Sequence, residues 1–251
     1  MTDLHSHILP GIDDGAADLE AALRLIESEY GQGVRNIALT SHYNCENTPV
    51  EVFLEQRDTA YRSLQKGMNG FEKKLQFKLG CEVLFSPRLL NRELDPLCLE
   101  GTNVLLLELP TNYKPPFLKE VLNYFQDNGI IPLIAHVERY SYVLREPTVL
   151  ADWVQMGAYT QINAGTFLHM DVKRKLALNF LKWGLAHVIA SDTHSPNKRP
   201  PNMKLAIEEI RKRLGEDTAV QLQTNADELF LNQDLHNVKI HYPRQILGRW
   251  F

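Results

Sequence analysis

Residues 103–136 read NVLLLELPTNYKPPFLKEVLNYFQDNGIIPLIAH and contain a strand, a helix and a second strand. The flanking stretches, Asn103–Leu109 and Ile130–Ala135, are continuous apolar runs, as is typical of strands that are covered on both faces. Pro116–Asp127 between them predicts a helix. Glu108 lies near the end of the first strand and His136 follows the second, and both residue types bind metal ions.

The same alternation of strand and helix extends over most of the chain. Strands are predicted at Met1–His5, Asn36–Ser41, Gln76–Glu82, Asn103–Leu109, Ile130–Ala135, Tyr159–Asn163 and His187–Ser191. Helices are predicted from near Asp18 to Tyr30 and at Val50–Lys66, Pro87–Asp95, Pro116–Asp127, Thr148–Met156, Val172–Trp183 and Asn202–Leu214, with one or two short helices after Leu214. This order favours right-handed βαβ units and a parallel sheet, and residues 1–251 fit a single α/β barrel domain.

A candidate metal ligand stands at the end of nearly every predicted strand. In chain order these residues are His5, His7, His42, Glu82, Glu108, His136, Asp192 and His194. The loop after the first strand adds two adjacent carboxylates, of which Asp14 is the predicted ligand and Asp13 a turn residue. Because the ends of parallel strands meet at one rim, the series predicts a hydrolase with several metal ions at that rim.

Each of these residues also has a structural interpretation when it is considered alone. His5 and His7 fit a surface turn about as well, and a lone histidine such as His42 is more often structural. Glu82 and Glu108 could each form a salt bridge inside the barrel. The recurrence favours metal binding, because a buried carboxylate without a cation partner is costly.

Two arginines follow candidate ligands in loops at the same predicted rim. Arg139 lies three residues after His136, and Arg199 lies five residues after His194. A guanidinium group can bind two oxygens of a phosphate at once. The alternative is a surface salt bridge with a glutamate of the same loop.

Charge and composition limit the partners of this chain. The net charge of −4 argues against a broad basic face for nucleic acid or for an anionic membrane. The first residues, MTDLHSHILPG, lack the pattern of a signal peptide, and no apolar run approaches the roughly 18 residues of a membrane span. Three cysteines are a sparse and odd set, which fits a reducing cytoplasm. We therefore expect a cytoplasmic protein that has no nucleic-acid partner and does not insert into a membrane.

The spacing of the cysteines excludes a cysteine-based tyrosine phosphatase. That mechanism needs an arginine six positions after the cysteine, so that the phosphate rests on the intervening amides. The residues six positions after Cys45, Cys81 and Cys98 are Glu51, Pro87 and Val104. A mechanism of this kind is therefore excluded for this chain.

Six separated motifs carry a family resemblance. They are DLHSHILPGIDDG, TSHY, GCEV, LLELP, AHVERY and SDTHSPNKRPP, between residue 3 and the segment near residue 201. Together with NADELFLNQ, which extends the match to about residue 232, they resemble the polymerase-and-histidinol-phosphatase (PHP) superfamily. The chain is most similar to the bacterial capsule and exopolysaccharide protein-tyrosine phosphatases of that superfamily. The resemblance implies a distorted (β/α)7 TIM-like barrel.

The same resemblance implies three divalent metal ions, often manganese. It assigns His5, His7, Glu82 and Asp192 to one ion, Glu82, Glu108 and His136 to a second, and Asp14, His42 and His194 to a third. Carboxylate and imidazole ligands suit iron or zinc about as well as manganese. Arg139 and Arg199 stand where the family binds the phosphate of the substrate.

The resemblance further implies a protein-tyrosine phosphatase that acts on the tyrosine-rich tail of a bacterial tyrosine kinase. In this expectation a metal-activated hydroxide attacks phosphorus. Asp14 and His42 are candidates for supplying a proton, and the choice between them stays open. Two alternatives also stay open: a PHP phosphatase for a small molecule such as histidinol phosphate, and a non-catalytic binding protein on the same barrel.

Overall fold

A curved parallel sheet forms the centre of the molecule. The computed structural model describes residues 1–68, 74–90, 92–235, 239–246 and 249–250. In chain order the parallel strands are β1 (Thr2–Asp3), β2 (Asn36–Leu39), β3 (His42–Tyr43), β4 (Gln76–Leu79), β5 (Glu82–Leu84), β6 (Val104–Glu108), β7 (Ile131–Ile134), β8 (Tyr159–Asn163) and β9 (Val188–Ala190). They form two pieces with the strand orders β1-β2-β4 and β3-β5-β6-β7-β8-β9.

The two pieces belong to one barrel. β2 continues into β3, and β4 continues into β5, so these segments follow the seven predicted strands. The segment after β9 returns to the first strand, where the Asp192 N–H donates to His5 O (2.8 Å) and the His7 N–H donates to Thr193 O (2.9 Å). The predicted parallel α/β barrel is thereby confirmed, and it closes at the rim where the strands end.

Helices connect the strands. They are α1 (Leu19–Gly31), α2 (Val50–Gly67), α3 (Leu118–Asp127), α4 (Ser141–Arg145), α5 (Thr148–Gln155), α6 (Val172–Lys182), α7 (Met203–Leu214) and α8 (Glu216–Phe230). Asp18 caps α1, as predicted, because its carboxylate accepts from the Ala21 N–H (2.8 Å). No helix within the described ranges is both long and apolar enough to cross a bilayer.

Two predictions about helices were wrong. The segment predicted as a helix at Pro87–Asp95 begins with a short 3-10 turn, Pro87–Leu89, and a second such turn, Asp95–Leu97, begins at its last residue. Leu90 is extended directly after the first turn, which ends the helical path there. The tail after Leu214 forms the 15-residue helix α8, longer than predicted.

Helix α8 closes the lower end of the barrel, where the strands begin. An apolar layer of strand side chains faces it, formed by Leu4, Ala38, Leu106, Leu133 and Val188. Leu229 and Phe230 of α8 pack into this layer. Asn232, just after α8, accepts from the N–H of Asn103, just before β6 (2.9 Å). The lower end is thus closed by apolar packing, and the predicted ligands lie at the opposite rim.

Candidate active site

Glu82 is the central residue of the rim and is fully buried. Its Oε2 lies 3.2 Å from Nε2 of both His5 and His7, and 3.0 Å from Nδ1 of His42. Its Oε1 lies 2.9 Å from His136 Nε2. The register explains part of this, because β3 and β5 pair so that His42 stands directly opposite Glu82. Four histidines from three parts of the barrel thus surround one carboxylate.

The orientation of His5 and His7 favours a cation between them. Gln161 Oε1 lies 3.2 Å from Nδ1 of His5, and Asp13 Oδ2 lies 2.8 Å from Nδ1 of His7, so in each neutral ring the proton sits on Nδ1. The unprotonated Nε2 atoms then face each other at 3.0 Å, with Asp192 Oδ1 at 3.4 and 3.5 Å. Two lone pairs and a carboxylate repel at such distances, and a metal ion would relieve the repulsion.

A second group of ligand atoms surrounds Glu108. One atom from each of His42, Glu82 and Glu108 lies within 4.8 Å of the others. His136 Nε2 is 3.6 Å from Glu108 Oε1. The family pattern assigned Glu82, Glu108 and His136 to one ion, and this geometry adds His42 to the same neighbourhood.

A third group lies at the mouth of the site. Asp14 Oδ1 is 3.4 Å from Nε2 of His42 and 3.3 Å from Nε2 of His194. His194 Nδ1 lies 2.9 Å from the carbonyl oxygen of Asp192, so its proton sits on Nδ1 and its Nε2 lone pair is free to bind an ion. His7 also lies in this group. All the predicted ligands are therefore brought together at the rim.

The carboxylates give the site an affinity for positive charge. Burial alone would lower the pKa of His7, but its contacts with Asp13 and Glu82 raise it to about 10. Burial alone would raise the pKa of Glu82, yet His5 and the other surrounding histidines hold it well below its usual range. The same negative charge that retains a proton on His7 would favour a metal ion, which would bind as that proton leaves.

Asp13 does more than the turn role that its position in the sequence suggested. Its Oδ1 accepts from the Gly15 N–H (2.9 Å), but its Oδ2 contacts His7 and accepts from the His42 N–H (3.0 Å). The turn needs glycine, since a Cβ at Gly15 would lie 2.2 Å from His7 O. Asp13 therefore orients a candidate ligand, and only the folded loop reveals which of two adjacent carboxylates does so.

Gln161 and Tyr140 are two further supports that the sequence did not single out. Gln161 Oε1 accepts from the His136 N–H (2.8 Å) in addition to contacting a histidine ring. The Tyr140 hydroxyl accepts from the Leu109 N–H (3.0 Å) and donates to Ala135 O (2.7 Å). Since these two backbone groups adjoin Glu108 and His136, Tyr140 ties two candidate ligands together. Neither residue type suggests metal binding, and although Tyr140 ends the AHVERY motif, no role was predicted for it from the sequence.

The two predicted arginines lie beside this ligand cluster. Arg199 Nη2 donates to Asp192 Oδ2 (2.5 Å), and Arg139 Nη1 lies 3.5 Å from the same oxygen. Their side chains are 39% and 40% exposed, so both could also contact a bound anion. Asp192 thus presents one oxygen to the histidines and the other to the arginines.

Two candidate ligands have left-handed backbone conformations. His136 has φ 31° and Asp192 has φ 52°. Residues other than glycine rarely adopt such angles, and the surrounding structure must compensate the strain. Both lie two residues after the end of a strand, β7 for His136 and β9 for Asp192.

The cysteines do not contribute to this site. Cys45, Cys81 and Cys98 are buried and unpaired. Burial raises the pKa of Cys98 to about 12 and also raises that of Cys81. These two thiols therefore stay protonated, in agreement with the exclusion of a cysteine nucleophile from the spacing.

Known proteins resemble this chain in sequence and in structure. A family model described as "Capsular polysaccharide synthesis, CpsB/CapC" matches residues 1–232. The tyrosine-protein phosphatase CpsB of Streptococcus agalactiae serotype V is 31% identical over 253 residues, which cover 96% of this chain and 100% of the relative.

Solved structures agree with that match. Crystal structures described as YwqE from Bacillus subtilis and CpsB from Streptococcus pneumoniae, "unique metal-dependent tyrosine phosphatases", give a TM-score of 0.87 at 26% identity, with 98% of this chain and 100% of the other covered. A histidinol phosphate phosphatase from Lactococcus lactis, bound to zinc, L-histidinol and phosphate, shares the fold alone, with a TM-score of 0.52 at 15% identity and coverage of 86% and 94%.

Proposed function

This chain belongs to the CpsB/CapC family of capsular polysaccharide synthesis proteins, and from that premise we propose that it is a metal-dependent protein-tyrosine phosphatase. The observation that carries the proposal is the convergence of the histidines and carboxylates on buried Glu82, with two arginines beside them. Such a cluster fits divalent cations and a phosphate ester better than it fits an apolar or cationic ligand.

The proposed cofactor is a set of three divalent metal ions, manganese first, with iron or zinc as alternatives. The residues that would hold them are His5, His7, Asp14, His42, Glu82, Glu108, His136, Asp192 and His194. The opposed Nε2 atoms of His5 and His7 support this fit, because one cation between them would accept both lone pairs and would also face Glu82. Bound divalent ions would neutralise charge on the phosphate ester and make water a stronger nucleophile.

The protein side chains have separate roles in this proposal. Arg139 and Arg199 bind the phosphate oxygens and stabilise the charge that develops during hydrolysis. Asp192 keeps both guanidinium groups beside the ligand cluster. Asp14 and His42, whose side chains are 68% and 37% exposed, are the candidates for giving a proton to the leaving tyrosine. Only the one that is not bound to an ion at that moment could do so. A phenol of pKa about 10 needs less of this help than an alkyl alcohol does.

The proposed substrate is a phosphotyrosine side chain on a flexible protein segment, such as the tail of a bacterial tyrosine kinase that acts in capsule or exopolysaccharide synthesis. Two findings support this choice. The relatives above 25% identity carry the name tyrosine-protein phosphatase, and the family description names capsular polysaccharide synthesis. Hydrolysis of histidinol phosphate is the competing activity, because the same barrel carries it elsewhere.

A metal-reconstituted activity screen tests the proposal. The protein is stripped with a chelator, checked by elemental analysis, and reloaded with Mn²⁺, Fe²⁺ or Zn²⁺. Each preparation is then assayed on phosphotyrosine peptides, phosphoserine peptides and histidinol phosphate. We expect no activity in the stripped protein and a clear preference for phosphotyrosine after reloading. Full activity in verified metal-free protein, or a higher catalytic efficiency for histidinol phosphate than for every phosphotyrosine peptide, would overturn it.

A further inference from the structure

An open pocket of about 460 Å³ extends away from the arginines into the loops after β8 and β9. Asp192, Arg139 and Arg199 line the end of the pocket nearest the metal ligands, and Lys173 and Lys198 also line it. Pockets that hold drug-sized ligands begin at roughly 300 Å³, so this volume exceeds the needs of one phosphate group. The excess space lies beside cationic side chains.

The acidic residues of the pocket are already engaged by the protein. Asp192 contacts the arginines and the histidines of the ligand cluster. Glu138 is buried, and its Oε1 accepts from the Asn163 N–H (3.0 Å). Asp171 caps helix α6 through a backbone N–H (2.9 Å). Asp171 is exposed and keeps its negative charge, but the four cationic side chains of the lining outnumber the three acidic ones.

The two lysines, by contrast, are available to an incoming ligand. Lys173 and Lys198 are both exposed. Neither ammonium group lies within 4 Å of a carboxylate among the residues that the structure describes. Two exposed apolar side chains are close to Lys173 in the chain: Met170 (90% exposed) just before α6 and Val172 (72% exposed) at its first position. A surface with unpaired cations and exposed apolar groups suits a peptide with an anionic side chain better than a small neutral ligand.

We propose that this pocket is a second anion subsite, which binds an acidic or phosphorylated side chain a few residues from the phosphotyrosine that is hydrolysed. The inference rests on the proposed function and adds substrate selectivity to it. Lys173 and Lys198 bind the second anion while Arg139 and Arg199 bind the reacting phosphate. The enzyme then favours phosphotyrosine in acidic or multiply phosphorylated segments over phosphotyrosine in neutral ones.

Matched peptides test the subsite. Each carries one phosphotyrosine and, at a position from one to four residues away on either side, glutamine, glutamate or phosphoserine. Phosphoserine supplies a second phosphate that the proposed activity does not remove. In the Mn²⁺-loaded wild type we expect kcat/KM to rise from glutamine to glutamate to phosphoserine, by about tenfold in total and mainly through KM. The ratio should shrink in 0.5 M salt, since exposed charges are screened.

Two double variants with the same change in net charge separate the pocket from general electrostatics. Lys173→Gln with Lys198→Gln should bring the phosphoserine-to-glutamine ratio of kcat/KM close to one. Lys175→Gln with Lys182→Gln removes two lysines of α6 that do not line the pocket, and it should keep the wild-type ratio.

The outcomes distinguish this inference from the proposed function. Equal efficiency on all three peptides in the wild type would overturn the subsite and leave the phosphatase assignment intact. A ratio that survives in the Lys173/Lys198 variant, or that falls equally in both double variants, would also overturn it. A wild-type protein that binds metal but hydrolyses no phosphotyrosine peptide would instead overturn the proposed function, and the subsite with it.

Discussion

Replacing Tyr140 with phenylalanine should weaken the candidate site although Tyr140 is not itself a candidate ligand. Its hydroxyl is fully buried and joins Leu109 N to Ala135 O, at 3.0 and 2.7 Å. These groups adjoin Glu108 and His136, so the hydroxyl fixes the spacing of two side chains proposed to share an ion. The phenylalanine variant keeps the ring, which packs against His136 at 5.8 Å, and removes only the two hydrogen bonds.

The size of the effect follows from these contacts. Two buried neutral hydrogen bonds contribute about 1 kcal/mol each, and an unsatisfied N–H at Leu109 adds about 1 kcal/mol. We therefore expect Tyr140→Phe to lower the free energy of unfolding by about 2–3 kcal/mol. In a domain of this size, Tm should fall by roughly 4–12 °C.

The adjacent Tyr142 provides a matched control. Its ring stacks on Tyr140 with centroids 5.7 Å apart, but its buried hydroxyl has no hydrogen-bond partner in the described structure. Tyr142→Phe should therefore leave stability unchanged or raise it slightly. The assays are urea unfolding of the metal-stripped proteins and elemental analysis after reloading with Mn²⁺. Equal unfolding midpoints and equal metal content in the two variants would refute the role of Tyr140.

Other perturbations test the ligands, the arginines and one buried histidine. Glu82→Gln keeps the side-chain volume but removes the central negative charge. Elemental analysis should then find less bound metal, and kinetic assays should find a lower rate. Three metal ions per chain in this variant would show that Glu82 does not bridge two of them. Arg139→Lys or Arg199→Lys should each lower kcat/KM by roughly 10²-fold with little change in metal content or Tm, because a preorganised donor pair is lost and no ligand is. Wild-type kinetics in either variant would show that its arginine forms a surface salt bridge and does not bind the phosphate. Burial lowers the pKa of His187 to about 4, so the unfolded chain binds a proton below about pH 6.5 that the folded chain does not. The free energy of unfolding should therefore fall as the pH drops from 7 to 4, and less steeply in His187→Gln; equal slopes would contradict this.

The sequence predicted the strands and the rim well because both follow from short-range patterns. Apolar runs such as VLLLEL identify buried parallel strands, and their ends meet at one rim whatever the helices do. The sequence thus predicts that Glu82 and His136 lie near each other, and in the structure they are 2.9 Å apart. The convergence of the predicted ligands is a fact of the structure, whereas their metal-binding role remains a prediction.

The remaining features depend on tertiary contacts that local patterns do not encode. The segment at Pro87–Asp95 has a helical composition, but its backbone extends at Leu90 instead. Asp13 and Asp14 are equivalent in sequence, and only the loop conformation turns one toward His7 and the other toward the mouth. Gln161 acts through an amide oxygen, which no ligand pattern includes.

The closure of the barrel has a consequence for the synthesis of the protein. Asp3 accepts hydrogen bonds from Ser191, which lies 188 residues later in the chain, and His5 meets Asp192 at the same seam. Contacts between such distant residues form late in folding. A chain that is still emerging from the ribosome therefore carries its first histidines long before their partner carboxylate exists. The full ligand set can bind metal only after Asp192 and His194 have been made, so the metal supply at that moment, as well as intrinsic affinity, would decide which ion the protein contains.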